Sequence, residues 1–76
     1  MSENGWQVQA FGAKVREARK NKGFSQEELS FESGFDRTYI SFIERGKRNP
    51  SLITIYRIAE ALDIEADSIF PARKDV

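Results

Sequence analysis

The sequence predicts an all-α fold in which five helices pack into one compact domain over residues 7–70 of the 76. Apolar residues recur at spacings of three and four, glycines punctuate this pattern, and good helix-capping residues precede the helical segments. The flanking segments 1–6 and 71–76 carry little of the pattern, so they are predicted to be flexible.

The first two helices are predicted from their apolar spacing and their end signals. Phe11 and Val15, followed by an alanine at position 18, place the first helix before Gly23, which suits a left-handed C-terminal cap. Ser25 then fits the N-cap of a second helix, and Glu28 three residues later completes a capping box.

The third helix follows at once. The second helix should stop near Gly34, and Asp36 should cap a third helix that carries Ile40 and Ile43 inward and ends before Gly46. Such a short, glycine-containing join between two helices is typical of a helix-turn-helix. An ordinary small helical bundle is the alternative.

The last two helices follow the loop "RGKRNP", where Asn-Pro disfavours continued helix. Ser51 fits the N-cap of the fourth helix, and a short fifth helix is predicted at about residues 65–70, ending at Pro71. The fourth helix is predicted to turn an apolar stripe toward the core, made of Leu52, Ile55, Ile58, Ala59 and Leu62.

Composition excludes several classes of function. The chain has no cysteine and no histidine, which removes disulfides, thiolate metal sites and the commonest general base. We therefore predict no enzyme, no cofactor and no metal. Neither a membrane-length apolar run nor a signal-peptide pattern is present, which favours a cytoplasmic protein without a membrane partner.

Charge is unevenly distributed although the net charge of the chain is zero. Residues 14–57 carry ten basic and six acidic residues, whereas residues 58–70 carry four acidic residues and no basic one. A basic body could contact phosphates while the acidic segment points elsewhere, although such charges often serve only solvation.

The stretch "KGFSQEELSFESGFDRTYISFIERGKRNPSLITIYRIAEALDI" resembles the Cro/C1-type helix-turn-helix family, to which the lambda and 434 repressors belong. The pattern runs from about Phe11 to Phe70. Within the family, "DRTYIS" followed by "ERG-R-N" is most similar to the controller proteins of restriction–modification systems. The resemblance implies a lambda-repressor-like domain that binds double-stranded DNA and regulates transcription.

In this family the second helix of the motif lies in the major groove, which predicts two sets of contacts. Base contacts are predicted for Arg37, Thr38 and Ser41. Backbone contacts are predicted for Gln26, Tyr39, Lys47, Arg48 and Asn49. The alternative for Arg37 is a phosphate contact or a free surface position, and for Ser41 it is a hydrogen bond back to its own helix. Tyr39 could instead be a packing residue, and Thr38 and the loop residues could be merely exposed.

The resemblance also implies a structural ion pair between Arg19 and Glu44. We further expect a homodimer on a palindromic operator, because one recognition helix covers too few base pairs for useful specificity. The predicted dimer interface consists of Ile53, Ile64, Ile69 and Phe70, some of which could instead close the monomer core. RNA polymerase is a further candidate partner, and no small-molecule effector is expected.

Three residues depart from the family pattern. Ser30 replaces the usual alanine, while Phe31 and Phe42 occupy positions that are commonly polar. Phe42 could touch thymine methyl groups, cover the edge of the core or contact a partner.

The function predicted is a transcriptional regulator of the restriction–modification controller type, which controls its own expression and that of the endonuclease. The alternatives are a phage-type repressor and a protein-interaction module such as an antitoxin.

Overall fold

The computed structural model describes residues 5–72, and within this range every regular element is helical. The elements are α1 (Gly5–Lys22), α2 (Gln26–Ser33), α3 (Arg37–Glu44), α4 (Leu52–Leu62) and a 3-10 helix (Ala66–Ile69). The predicted all-α class and order of helices are confirmed. The fifth helix is shorter than predicted and has 3-10 rather than α geometry.

The helices begin at the capping residues that the sequence predicts. Ser25 accepts the backbone N–H of Glu28 at 3.0 Å, and the Glu28 carboxylate accepts the Ser25 N–H at 2.8 Å, which completes the capping box. Asp36 and Ser51 each accept a backbone N–H in the first turn of α3 and of α4. Because these bonds satisfy donors that a helix leaves unpaired, they fix where each helix starts.

The core lies where α1, α3 and α4 meet, with α2 packed against α3 and α4. Its buried apolar side chains are Val8, Phe11, Val15, Leu29, Ile40, Ile43, Ile58, Ala59, Leu62 and Ile69. Gly12 is needed where α1 meets α3, because a Cβ there would collide with the carbonyl oxygens of Ile43 and Glu44. The end of α3 is therefore seated directly on α1.

Two predictions about single residues are wrong. Leu52 was assigned to the core stripe, but its side chain is 62% exposed, because at the first position of α4 it points away from the other helices. Ile69 was assigned to the dimer interface, but it is 1% exposed, because the 3-10 helix folds it into the core. The remaining stripe of α4 faces inward as predicted, with Ile55 half-buried.

The predicted flexible ends are only partly covered by the structure. Helix α1 begins at Gly5 and includes Trp6, so these two residues of the predicted N-terminal segment 1–6 are helical. The other four residues of that segment and positions 73–76 lie outside the described residues. Among the helices described, none has both the length and the apolar character needed to span a membrane.

Candidate nucleic-acid interface

The first turn of α3 presents its polar side chains to solvent while the opposite face of the helix is held in the core. Ile40 and Ile43 are both 0% exposed, whereas Arg37 and Thr38 are exposed. Ser41, one turn after Arg37, is half-buried. Within residues 5–72 the Arg37 guanidinium makes no hydrogen bond or ion pair, so it is available to a ligand.

Arg19 and Glu44 form the ion pair that the resemblance implied. The Arg19 Nε lies 2.6 Å from Glu44 Oε2, and the Arg19 Nη2 donates to Glu44 Oε1 at 3.0 Å. Both residues are 8% exposed. Arg19 also donates to the Phe24 carbonyl oxygen at 2.8 Å, so one side chain joins α1, the loop before α2 and the end of α3.

Gln26 belongs to the same network, which the sequence did not indicate. Its Nε2 donates to Glu44 Oε1 at 3.1 Å across 18 residues of sequence, a separation at which no local pattern links two side chains. Gln26 is also the first residue of α2, where backbone N–H groups are free and the helix dipole favours an anion. Its predicted phosphate contact stays a prediction.

The loop between α3 and α4 exposes the three polar residues predicted to contact the DNA backbone, Lys47, Arg48 and Asn49. The backbone N–H of Lys47 donates to the Phe42 carbonyl oxygen at 2.8 Å, which ties the loop to the end of α3. The Arg48 guanidinium lies 5.2 Å from the centre of the Tyr39 ring, within the range of a cation–π contact. The structure therefore brings Arg48 and Tyr39 together.

Tyr39 is half-buried and contacts both the turn and α4. Its ring centre lies 5.2 Å from that of Phe35 with an interplanar angle of 57°, a tilted arrangement that aromatic pairs favour. Its hydroxyl lies 3.4 Å from the Thr54 Oγ1. Tyr39 therefore packs against its own chain, and its contact with the DNA backbone stays a prediction.

The three departures from the family pattern have different surroundings. The Ser30 hydroxyl donates to the Phe35 carbonyl oxygen in the turn between α2 and α3. Phe42 is half-buried beneath Arg45, whose guanidinium lies 5.0 Å from the ring centre. Phe31 is 84% exposed on α2. Arg45 is not among the predicted site residues, although its position three residues after Phe42, at the C-cap of α3, is a usable signal.

A second exposed surface lies on α4 and the segment after the 3-10 helix. Leu52, Ile53 and Tyr56 are 62%, 71% and 53% exposed, and Phe70 is 39% exposed. Ile64, the remaining predicted interface residue, is half-buried against the core. Tyr56 was missed by the sequence analysis, although it lies one helical turn after Ile53.

Known proteins resemble the chain in sequence. A family model described as Helix-turn-helix matches residues 15–69. The control protein C.BamHI of Bacillus amyloliquefaciens is 54% identical over 56 residues, which are 72% of this chain and 69% of that protein. The control protein C.MunI of Mycoplasma sp is 43% identical over 61 residues, which are 79% and 82% of the two chains.

Solved structures resemble the chain in fold. The restriction–modification controller protein C.AhdI from Aeromonas hydrophila has a TM-score of 0.81 at 51% identity, covering 83% of this chain and 96% of that one. The controller protein C.Esp1396I, as a tetramer in complex with its natural 35-base-pair operator, has a TM-score of 0.80 at 31% identity, covering 86% of each chain. The chain therefore belongs to the helix-turn-helix family of transcriptional regulators, whose members similar to it include restriction–modification controller proteins.

Proposed function

We propose that this chain binds double-stranded DNA sequence-specifically, with α3 in the major groove. The observation that carries the proposal is the exposure of Arg37 and Thr38 on the first turn of a helix whose opposite face is fully buried. The major groove of B-DNA admits one α-helix, and a helix-turn-helix places the N-terminal residues of its second helix at the base edges. A rigidly held, polar first turn suits that role.

Arg37 is the main candidate for reading a base. Its guanidinium can donate two hydrogen bonds to guanine O6 and N7, an arrangement that contributes about 1–3 kcal/mol of discrimination against a wrong base. Thr38 offers a hydroxyl and a methyl group to the next base pair. Ser41, one turn further on, can donate a hydrogen bond to a base edge.

Backbone contacts would flank this helix on both sides. Gln26 and the free N–H groups of α2 can bind a phosphate, and the loop residues Lys47, Arg48 and Asn49 can bind others. Tyr39 would contact the backbone next to Arg48. Such contacts fix the position of the protein on the duplex and specify little sequence.

We further propose that two copies associate through the exposed apolar surface of α4. The interface would use Leu52, Ile53 and Tyr56 together with Phe70, and Ile64 would lie at its edge. Several large exposed apolar side chains on one helix suggest an interaction surface. A two-fold dimer would read half-sites about one helical turn apart, which requires a palindromic operator.

The similarity to C.BamHI, C.MunI and C.AhdI supports a restriction–modification controller, which would regulate its own gene and that of the endonuclease. The site of action would be the cytoplasm. RNA polymerase is a candidate partner, and neither catalysis nor a small-molecule effector forms part of this role.

Selection of duplexes from a random pool tests the function directly. Purified protein should enrich a two-fold symmetric site, and its affinity should fall steeply as salt increases, because phosphate contacts release counterions. Failure to bind duplexes of any composition at low ionic strength would exclude the proposed function. Enrichment of unrelated sequences would restrict it to non-specific binding.

A further inference from the structure

Arg57, in the middle of α4, lies against the turn of the helix-turn-helix. Its Nη2 donates to the Ser33 carbonyl oxygen at 2.8 Å, and its guanidinium carbon lies 4.4 Å from the centre of the Phe35 ring. A Cβ on Gly34 would lie 2.6 Å from the same Nη2. The guanidinium therefore packs against the turn and contacts Ser33 and Phe35, the residues on either side of Gly34.

The contacts continue from Arg57 toward the proposed DNA surface. Phe35 packs against Tyr39 with ring centres 5.2 Å apart, and the Arg48 guanidinium lies 5.2 Å from the Tyr39 ring centre. A continuous series of contacts therefore links Arg57, Phe35, Tyr39 and Arg48. We name it the cation–aromatic ladder. It begins on α4, crosses the turn and the first turn of α3, and ends in the loop that follows α3.

The ladder has an arginine at each end, and each guanidinium carbon lies within the ~6 Å of a ring centre at which a cation is attracted to an aromatic face, 5.2 Å for Arg48 and 4.4 Å for Arg57. Helix α4 makes a second contact with the ladder, because the buried Thr54, one turn before Arg57, lies 3.4 Å from the Tyr39 hydroxyl. Helix α4 therefore contacts the turn at Phe35 and α3 at Tyr39.

We propose that Arg57 is a positioning residue for base reading, which sets the orientation of the first turn of α3 through the ladder. This inference rests on the proposed DNA-binding function. Arg37 and Thr38 lie between Phe35 and Tyr39 in sequence, so a change in how the two rings pack displaces the turn that carries both side chains. Base-edge hydrogen bonds need close geometry, whereas phosphate contacts tolerate small shifts.

Arg57 is also placed to link the two proposed surfaces. It follows Tyr56 on α4 and lies one turn after Ile53, both of which are exposed apolar residues of the proposed dimer interface. Association of two copies through this face would further restrict α4, and the ladder would pass that restriction to the recognition helix.

The first experiment needs no DNA. Arg57→Lys retains the charge but loses the planar group that stacks on Phe35, since lysine is a point charge on a flexible stem. In the free protein, the backbone amide resonances of Arg37 and Thr38 should shift in this variant. The matched change Arg16→Lys, at an exposed arginine of α1 outside the ladder, should leave them in place. Unmoved resonances in the Arg57 variant would overturn the proposal whether or not the protein binds DNA.

The second experiment separates positioning from contact. In Arg57→Lys and Arg57→Gln, the ratio of specific to non-specific affinity should fall by about three- to tenfold, as expected if part of the free energy of one cation–π contact and one hydrogen bond is lost from specific binding. The dependence of affinity on salt should keep its slope, because Arg57 neutralises no phosphate. The proposal is overturned by a shallower slope with uniform loss of affinity, or by a lower melting temperature with an unchanged ratio.

A double-mutant cycle locates the effect in the ladder. Phe35→Leu keeps an apolar side chain but removes the ring, so it should lower the affinity ratio in a similar way. Adding Arg57→Gln to Phe35→Leu should then lower the ratio by less than Arg57→Gln does in the wild type, because the cation–π contact is already absent and only the hydrogen bond to the Ser33 carbonyl oxygen remains to be lost. Additive losses would overturn the ladder. If the wild-type protein binds no duplex, the proposed function fails, whereas the resonance shifts still test the packing that α4 imposes on α3.

Discussion

At the scale of single residues, Arg37 and Lys47 are both exposed cations, but they are predicted to act differently. Arg37→Ala should remove discrimination at one base pair of each half-site, because the fork that distinguishes guanine is lost. Lys47→Ala should weaken binding to all sequences alike and reduce the salt slope by about one unit. Affinities for single-base operator variants, measured over a salt series, check both outcomes. If both variants lost affinity equally for all operator sequences, the predicted base contact of Arg37 would be contradicted.

Loss of Glu44 should lower the stability of the fold strongly. Glu44→Leu leaves the buried Arg19 guanidinium without its partner, and breaking a buried pair from one side costs about 3–5 kcal/mol of the free energy of unfolding. Urea denaturation measures this cost. Adding Arg19→Met should recover part of it, because the unpaired charge is removed. If Glu44→Leu alone were as stable as the wild type, the ion pair would contribute little to the free energy of unfolding.

At the scale of elements, the join between α2 and α3 depends on Gly34, whose φ is +79°. Gly23 provides a matched control, since its φ is +84° but a Cβ there would meet nothing within 4 Å. Gly23→Ala should cost about 1–2 kcal/mol from left-handed strain alone. Gly34→Ala should cost more, because its Cβ also displaces Arg57. Equal midpoints of urea denaturation in the two variants would contradict a close contact between Arg57 and the turn.

For the molecule as a whole, we expect that tight, sequence-specific binding to DNA requires a dimer of this chain. Ile53→Lys places a charge in the proposed interface, where desolvating it without a partner is costly. The variant should have monomer mass by light scattering and lose affinity for a two-fold operator. Phe31→Ser is the matched control, because Phe31 on α2 is even more exposed than Ile53 but lies outside the proposed interface. It should leave the mass in solution unchanged. A monomeric wild-type protein would contradict the proposed dimer, and a dimer that persists in Ile53→Lys would place the interface elsewhere.

Patterns in the sequence predict the class of the fold, the starts of α2, α3 and α4, and the family. These features depend on interactions within a few residues, such as the bonds of the Ser25 and Asp36 caps, so a linear pattern contains them. The exposure of Thr38 follows for the same reason, because helical spacing places it opposite Ile40 and Ile43.

The exposure of individual apolar residues and the contacts between distant side chains depend on how the helices pack, and the sequence patterns do not predict them. Leu52 is exposed and Ile69 is buried, the reverse of what the sequence predicts. Their burial depends on how α4 and the 3-10 helix pack, and helical spacing does not specify this packing. The contacts of Gln26 with Glu44 and of Arg57 with Phe35 join residues 18 and 22 positions apart. Such pairs are made by the crossing of helices, and no local pattern in the chain encodes a crossing.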